Sequence, residues 1–311
     1  MARYPFKENV ATLMEQRRGS ITDVSWKALE RRYRRIERDL IMLHQKGEVS
    51  SLAPSKMSES DVKALITYRK GLGVGASDII HDISALDQLL QSQNNTAVRT
   101  CLGKNPALRP TKRNARLPPL SDDTYGRILD GWSGIDHGDF HQVRAFAMVL
   151  LYIGTGARNK ELRLADLSDL DTGNWLIHFR HVKGEDSYGD PRHVPVPAEI
   201  RGVVTTYLER RDAWLRAHGA VSDALFFAMD GRYSHLSSNS VRKIKQRVER
   251  AIGEEFELRD CRRAFGQIYL NKGLEIEKVS VLMGHATTKT TETYYCRNCS
   301  IEAANRAKEL W

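Results

Sequence analysis

Apolar residues return every three or four positions through the first part of this chain. Trp26, Leu29, Tyr33, Ile36, Leu40 and Leu43 make one such stripe, and Ile79, Ile83, Leu86 and Leu90 make another. That interval puts each set on one face of a 3.6-residue period and predicts amphipathic helices. Thr22 or Asp23 is the expected cap of the first helix and Ser77 of the second. A third helix is expected over 59–72, stopped by Gly71 and Gly73.

The pattern changes further along. Residues 140–153 are almost continuously apolar and read as a buried helix, followed by a short helix over 161–167. Residues 175–180 and 193–196 are strand-like and flank a polar loop rich in Gly and Asp, which predicts a β-hairpin with Lys183 just beyond its first strand. Helices are expected over 198–218, 239–252, 259–272 and 276–283. A last amphipathic one is expected over 300–311, with Ile301, Ala304, Ala307 and Leu310 on its apolar face. Between the halves, residues 105–120 hold four Pro and four basic residues, and Pro removes backbone donors and resists helix. The expected organisation is a helical domain over 1–104, a basic linker over 105–120 and an α+β domain over 121–311. The fold class is mainly α with a small antiparallel β-sheet.

The chain's 311 residues are enough for two separate cores. Its longest apolar run is too short to span a bilayer, and its first residues lack the apolar core of a signal peptide. Four scattered Cys are too few for a disulfide framework, which predicts a reducing, cytoplasmic location. Cys296 and Cys299 form a lone CxxC. Zinc needs two more ligands, and no partner motif offers them, so no metal or other cofactor is expected.

The net charge of +9 is unevenly placed. Residues 1–104 carry 17 Lys and Arg against 12 Asp and Glu, residues 105–120 carry 4 against none, and residues 121–311 carry 27 of each. A basic excess of this kind suits a polyanion partner, because each neutralised phosphate releases counterions; a solvated basic face is the plainer reading. Arg31, Arg32, Arg34, Arg35 and Arg38 fall largely off the apolar stripe of their helix and, with Lys112 and Arg113 of the linker, are candidate contacts to a DNA backbone.

Four short segments carry the candidate chemistry. Arg158 follows Gly154-Thr155-Gly156, where glycines permit a tight turn and close backbone approach. Arg259 and Arg262 stand three apart, as on one face of a helix, and a guanidinium fork suits a phosphate. His285 follows Gly284, and Tyr294 comes nine residues later in a run too polar to be a core helix. Two Arg, a Lys, a His and a late Tyr are the parts that phosphodiester exchange asks for: a nucleophile, charge on the non-bridging oxygens, and a proton for the leaving oxygen.

The order of these motifs resembles the tyrosine recombinases of the phage-integrase and Xer type. The resemblance rests on Thr155-Gly156-Ala157-Arg158-Asn159-Lys160-Glu161-Leu162, on Lys183-Gly184 with Val194-Pro195, on Arg259-Asp260-Cys261-Arg262-Arg263-Ala264-Phe265, and on Met283-Gly284-His285 followed by Tyr294. It implies the DNA breaking–rejoining fold with a helical core-binding domain. It also implies attack by Tyr294 on a scissile phosphate to give a 3′-phosphotyrosyl bond and a free 5′-hydroxyl, without metal or ATP. Arg158 and Arg262 would clamp the non-bridging oxygens, His285 would add a hydrogen bond, Lys183 would serve the leaving oxygen, and Arg259 would sit near the nucleophile. The implied partner is double-stranded DNA with a specific recombination site, bound by a homotetramer that is monomeric when free and nucleoid-associated on DNA. Arg259 departs from the pattern, in which His or sometimes Lys is usual. A guanidinium can stabilise a phenolate but is a poor base. That departure keeps open a non-catalytic DNA-binding protein, and the shared chemistry keeps open a type IB topoisomerase-like enzyme.

Overall fold

A computed structural model describes residues 5–111, 117–182, 184–185, 189–294 and Lys308, with residues 293 and 294 described by their backbone. The chain divides into two compact units, Met1–Arg113 and Asn114–Trp311.

The first unit is all-helical: α1 (Pro5–Gln16), α2 (Asp23–Gln45), α3 (Glu59–Gly71), α4 (Ala76–Gln91) and α5 (Ala97–Lys104). The α2 stripe buries Tyr33, Ile36, Leu40 and Leu43 against Leu86, Leu89 and Leu90 of α4 and Val62 and Ile66 of α3. Thr22 caps α2 by accepting from the Ser25 amide. Ser77 does not cap α4: the backbone is already helical at Ala76, so Gly75 is the capping position and Ser77 lies within the first turn. The pattern did not single out α1 and α5.

An ion cluster holds α2, α3 and α4 together. Arg69, 5% exposed, reaches Asp39 and Asp82 at 2.6 Å each. Arg32 and Arg35 reach the other oxygen of Asp82 at 2.6 and 2.8 Å. The five arginines of α2 therefore divide. Arg32 and Arg35 are engaged in the cluster, whereas Arg31, Arg34 and Arg38 are exposed. Pro106–Leu108 forms a 3₁₀ turn, and Leu108 packs on this first core. Lys112 and Arg113 lie outside the described residues.

The second unit contains α6 (Asp122–Gly134), α7 (Phe140–Thr155), α8 (Asn159–Arg163), β1 (Leu170–Asp171), β2 (Leu176–Phe179), β3 (Arg192–Pro195), α9 (Ala198–Ala217), α10 (Ser238–Ile252), α11 (Leu258–Asn271), α12 (Ile276–Met283) and α13 (Thr288–Tyr294). Helix α7 is buried almost throughout and packs against α9, α10 and α11, as its almost continuously apolar sequence predicts. The sheet is antiparallel in the order β1-β2-β3, with Ile177 opposite Val194. Leu120 is buried in this second core.

Helix α8 stops at Arg163 rather than continuing to 167. Leu167 instead opens a 3₁₀ turn in which the Asp169 carboxylate accepts from the Asp166 amide. The polar run before Tyr294 is a helix after all, and Thr291 in it is fully buried. The expected terminal helix, with Ile301, Ala304, Ala307 and Leu310, lies outside the described residues. Among the described residues no helix is long and apolar enough to cross a membrane, and no three metal-ligating side chains are gathered to hold an ion.

Candidate active site

Two left-handed glycines aim the site. Gly156 ends α7 at φ 59°, and a Cβ there would lie 2.5 Å from Cδ1 of Phe265 on α11. Only glycine meets both demands. The chain then extends, so that Arg158 becomes the N-cap of α8. Gly284 ends α12 at φ 61°, and a Cβ there would lie 2.8 Å from Arg192 Nη1. The turn at Gly284 delivers His285.

The last carbonyls of α12 organise what surrounds that turn. Leu282 accepts from Arg192 Nε at 2.7 Å, Met283 from Arg262 Nη2, and Gly284 from Arg158 Nη2 at 2.7 Å. A helix C-terminus leaves such carbonyls without intrahelical partners and carries partial negative charge. Here three consecutive carbonyls hold three guanidinium groups, from β3, α11 and the α8 N-terminus. Arg262 also donates to the Gly156 carbonyl.

Glu161 is the carboxylate among these cations. It is 1% exposed and accepts Arg192 through two hydrogen bonds of 2.9 and 2.8 Å, Arg158 Nη1 at 2.7 Å and the Arg158 amide at 2.7 Å. Burial works to raise its carboxyl. The hydrogen bond and charge of Arg192, then the charges of Arg158 and Arg262, prevail and hold it down to about 2. His285 shows the opposite field. Burial first, then the charges of Arg262, Arg158 and Arg192, push its imidazole down to about 3 against the opposing pull of Glu161.

The ring of His285 is therefore neutral at ordinary pH. Arg262 Nη2 lies 3.1 Å from His285 Nε2, and arginine can only donate, so Nε2 accepts. Nδ1 then carries the proton and donates to Thr291 Oγ1 at 2.8 Å. Arg158, Arg192 and His285 open on a cleft of about 300 Å³, also lined by Val182, Gly189 and Thr290.

The structure thus brings together Arg158, Arg262 and His285. Arg259, one turn earlier on α11, is exposed and joins no side-chain hydrogen bond of this network among the described residues. Lys183 lies outside the described residues; its neighbours Val182 and Gly184 are in the β2–β3 loop. Tyr294 is the last residue of α13, and its side chain lies outside the description.

Arg192 and Thr291 escaped the sequence reading, as did the role of Glu161. Arg192 left a signal: it shares the inward phase of its strand with Val194, and an arginine at a buried strand position needs a carboxylate partner. Helix α10 was expected over 239–252, but its basic face was missed for another reason. It exposes Arg242, Lys243, Arg247 and Arg250, none of them in an ion pair among the described residues, yet the equal totals of acidic and basic residues over 121–311 hid this local excess.

The two shifted groups make stability depend on acid in a defined order. His285 has a folded value near 3 against an ordinary 6.5, so the unfolded chain binds its proton first, and the stability is complete above 6.5 and lost as the pH falls. Glu161, near 2 against 4.5, adds to the loss below 4.5. Urea unfolding of wild type between pH 6.5 and 4.5 is expected to show stability declining with acid, and His285→Asn is expected to flatten that decline. Equal slopes for the two proteins would place the imidazole outside the cationic field.

The sequence profile of the phage integrase family matches residues 120–300. The tyrosine recombinase XerC of Pseudomonas syringae pv. tomato is 31% identical over 189 residues, which are 60% of this chain and 58% of that protein. The chain thus aligns with less than two thirds of that relative's length. The tyrosine recombinase XerD of Mycobacterium tuberculosis is 29% identical over 279 residues, 86% of this chain and 85% of the relative. Among solved structures, the Tn1549 transposon integrase in complex with transposon right end DNA superposes with a TM-score of 0.70 at 17% identity, covering 97% of this chain and 99% of that one. A lambda integrase dimer bound to a COC′ core site gives 0.64 at 17% identity, covering 94% and 96%. At such identity the likeness is one of fold.

Proposed function

Because this chain belongs to the phage integrase family, we propose that it is a site-specific DNA recombinase that cuts and rejoins strands through a covalent 3′-phosphotyrosyl bond on Tyr294. One observation carries the reading. Three guanidinium groups and a neutral imidazole, drawn from separate stretches of the chain, surround one buried carboxylate, Glu161, and the exposed Asp190 also lines the cleft. Even when Asp190 is counted and the α12 dipole is taken as roughly half a negative charge, the three arginines leave the site cationic, and a phosphodiester supplies the anion. The relatives are recombinases and integrases, which favours strand exchange over relaxation alone or binding alone.

The residues divide the work as follows. Arg158 has N–H groups beyond those given to Glu161 and Gly284 and faces the cleft, so it takes a non-bridging oxygen. Arg262 supports the same phosphate from the α11 side, and charge building on its oxygens in the transition state is met by preorganised donors. His285 contributes a hydrogen bond through Nε2. Lys183, which lies between β2 and β3 in the sequence, protonates the departing 5′-oxygen. Arg259 is exposed and serves the phenolate only electrostatically. The phosphotyrosyl bond retains the energy of the broken one, and a 5′-hydroxyl from a second strand reverses the step. The partner is duplex DNA bearing a recombination site, held by a homotetramer, with Arg31, Arg34, Arg38 and the α10 cations on phosphates; the chain would work in the cytoplasm at the nucleoid.

Digesting the covalent adduct formed on sheared host DNA and sequencing its peptides by mass spectrometry tests this. The expected result is a nucleotide on Tyr294 and one recurrent DNA sequence attached to it. A nucleotide on Tyr295 would move the nucleophile, and no adduct on any DNA would remove the reading.

A further inference from the structure

Thr291 is fully buried on α13, one turn before Tyr294, and its hydroxyl is the described partner of His285 Nδ1. In this structure Arg262 donates to Nε2, so the ring proton is on Nδ1 and Thr291 accepts it. A phosphodiester oxygen only accepts. For His285 to meet it through Nε2, the proton must leave Nδ1 and arrive at Nε2, exchanged through water with no change in net charge. Nδ1 then becomes an acceptor and needs a donor. A carbonyl or carboxylate at this place serves only the first state, and an amide N–H only the second. A hydroxyl rotates and serves both. Protonating the ring instead is opposed by Arg262, Arg158 and Arg192, which face it from α11, the α8 N-terminus and β3.

We propose that Thr291 is a positioning residue that holds His285 in both neutral tautomers, letting the ring turn from acceptor to donor as a phosphate arrives. The inference rests on the recombinase reading for its second state, but the first state can be measured without any reaction.

Long-range ¹⁵N–¹H correlation spectra of the histidine rings at pH 7, with His285 assigned by its loss in His285→Gln, provide that measurement. Wild type and Thr291→Ser are expected to carry the His285 proton on Nδ1, and Thr291→Val, of similar shape but without the hydroxyl, to show mixed tautomers. Saturating inorganic phosphate is expected to move the proton to Nε2 in wild type and Thr291→Ser. In single-turnover adduct formation on the DNA recovered above, Thr291→Val is expected to be slower by roughly tenfold, the equivalent of one ordinary hydrogen bond, with Thr291→Ser close to wild type.

An Nε2 proton in free wild type would overturn the proposal. So would a Thr291→Val protein with wild-type tautomers and rate, or a Thr291→Ser protein as slow as Thr291→Val. If wild type forms no adduct at all, the recombinase reading fails, while the spectra of the free and phosphate-bound protein still decide the role of Thr291.

Discussion

Arg158→Ala is expected to slow single-turnover strand cleavage by about 10²–10³-fold, the loss typical of one preorganised oxyanion donor. The guanidinium faces the cleft and is fixed at both ends of its fork, by Glu161 and by the Gly284 carbonyl. Its geometry therefore exists before substrate arrives, and a phosphate bound there loses a charge-assisted contact just as charge builds on its oxygens. The variant is expected to fold, because Glu161 keeps both hydrogen bonds from Arg192. DNA affinity is expected to change far less than the rate, since one phosphate contact among many is removed. Arg158→Lys, which retains charge but not the fork, belongs between the two. Quenching the reaction of a nicked duplex over time and resolving the adduct on a denaturing gel gives the rates, and wild-type cleavage by Arg158→Ala would remove this residue from the site.

Glu161→Gln acts on the other side of the balance and is expected to cost stability before it costs rate. The carboxylate is buried and pairs with Arg158 and Arg192, with Arg262 close enough to influence it. Neutralising it removes the buried carboxylate that pairs with Arg158 and Arg192. Breaking a buried pair in this way costs about 3–5 kcal/mol. The midpoint of urea unfolding at pH 7 should fall accordingly. Added sulfate should recover more stability in the variant than in wild type, because the anion occupies the same field. A variant as stable as wild type, with no response to sulfate, would mean that the three arginines do not depend on Glu161.

The helices were legible because burial imposes a period on the chain. The stripe from Trp26 to Leu43 and the apolar run of α7 each became the helix that their pattern implied, and the hairpin appeared where the period shortened. The polar run of α13 was misread because its buried residue is a threonine whose hydroxyl has a partner in His285, so burial left no apolar mark. Arg32 and Arg35 lie on a helix face that reads as free for phosphate, yet Asp82, which pairs with both, is brought in by another helix. In the site, Arg158, Arg262 and His285 could be named from their motifs, whereas Arg192 and Thr291 could not.

The sequence by itself determined the inventory: which residues carry charge, a titratable ring or a phenol, which segments have a face to bury, and where glycine alone lets the chain turn. These are properties of single residues and near neighbours. Only the tertiary structure decided that three arginines meet the carbonyls of Leu282, Met283 and Gly284, that one buried carboxylate stands among them, and that the resulting field keeps His285 neutral. The physical reason is that electrostatic energy depends on separation and burial rather than on position along the chain. Carbonyls, moreover, are common to every residue, so a sequence does not show which of them a helix end will leave open to a distant guanidinium.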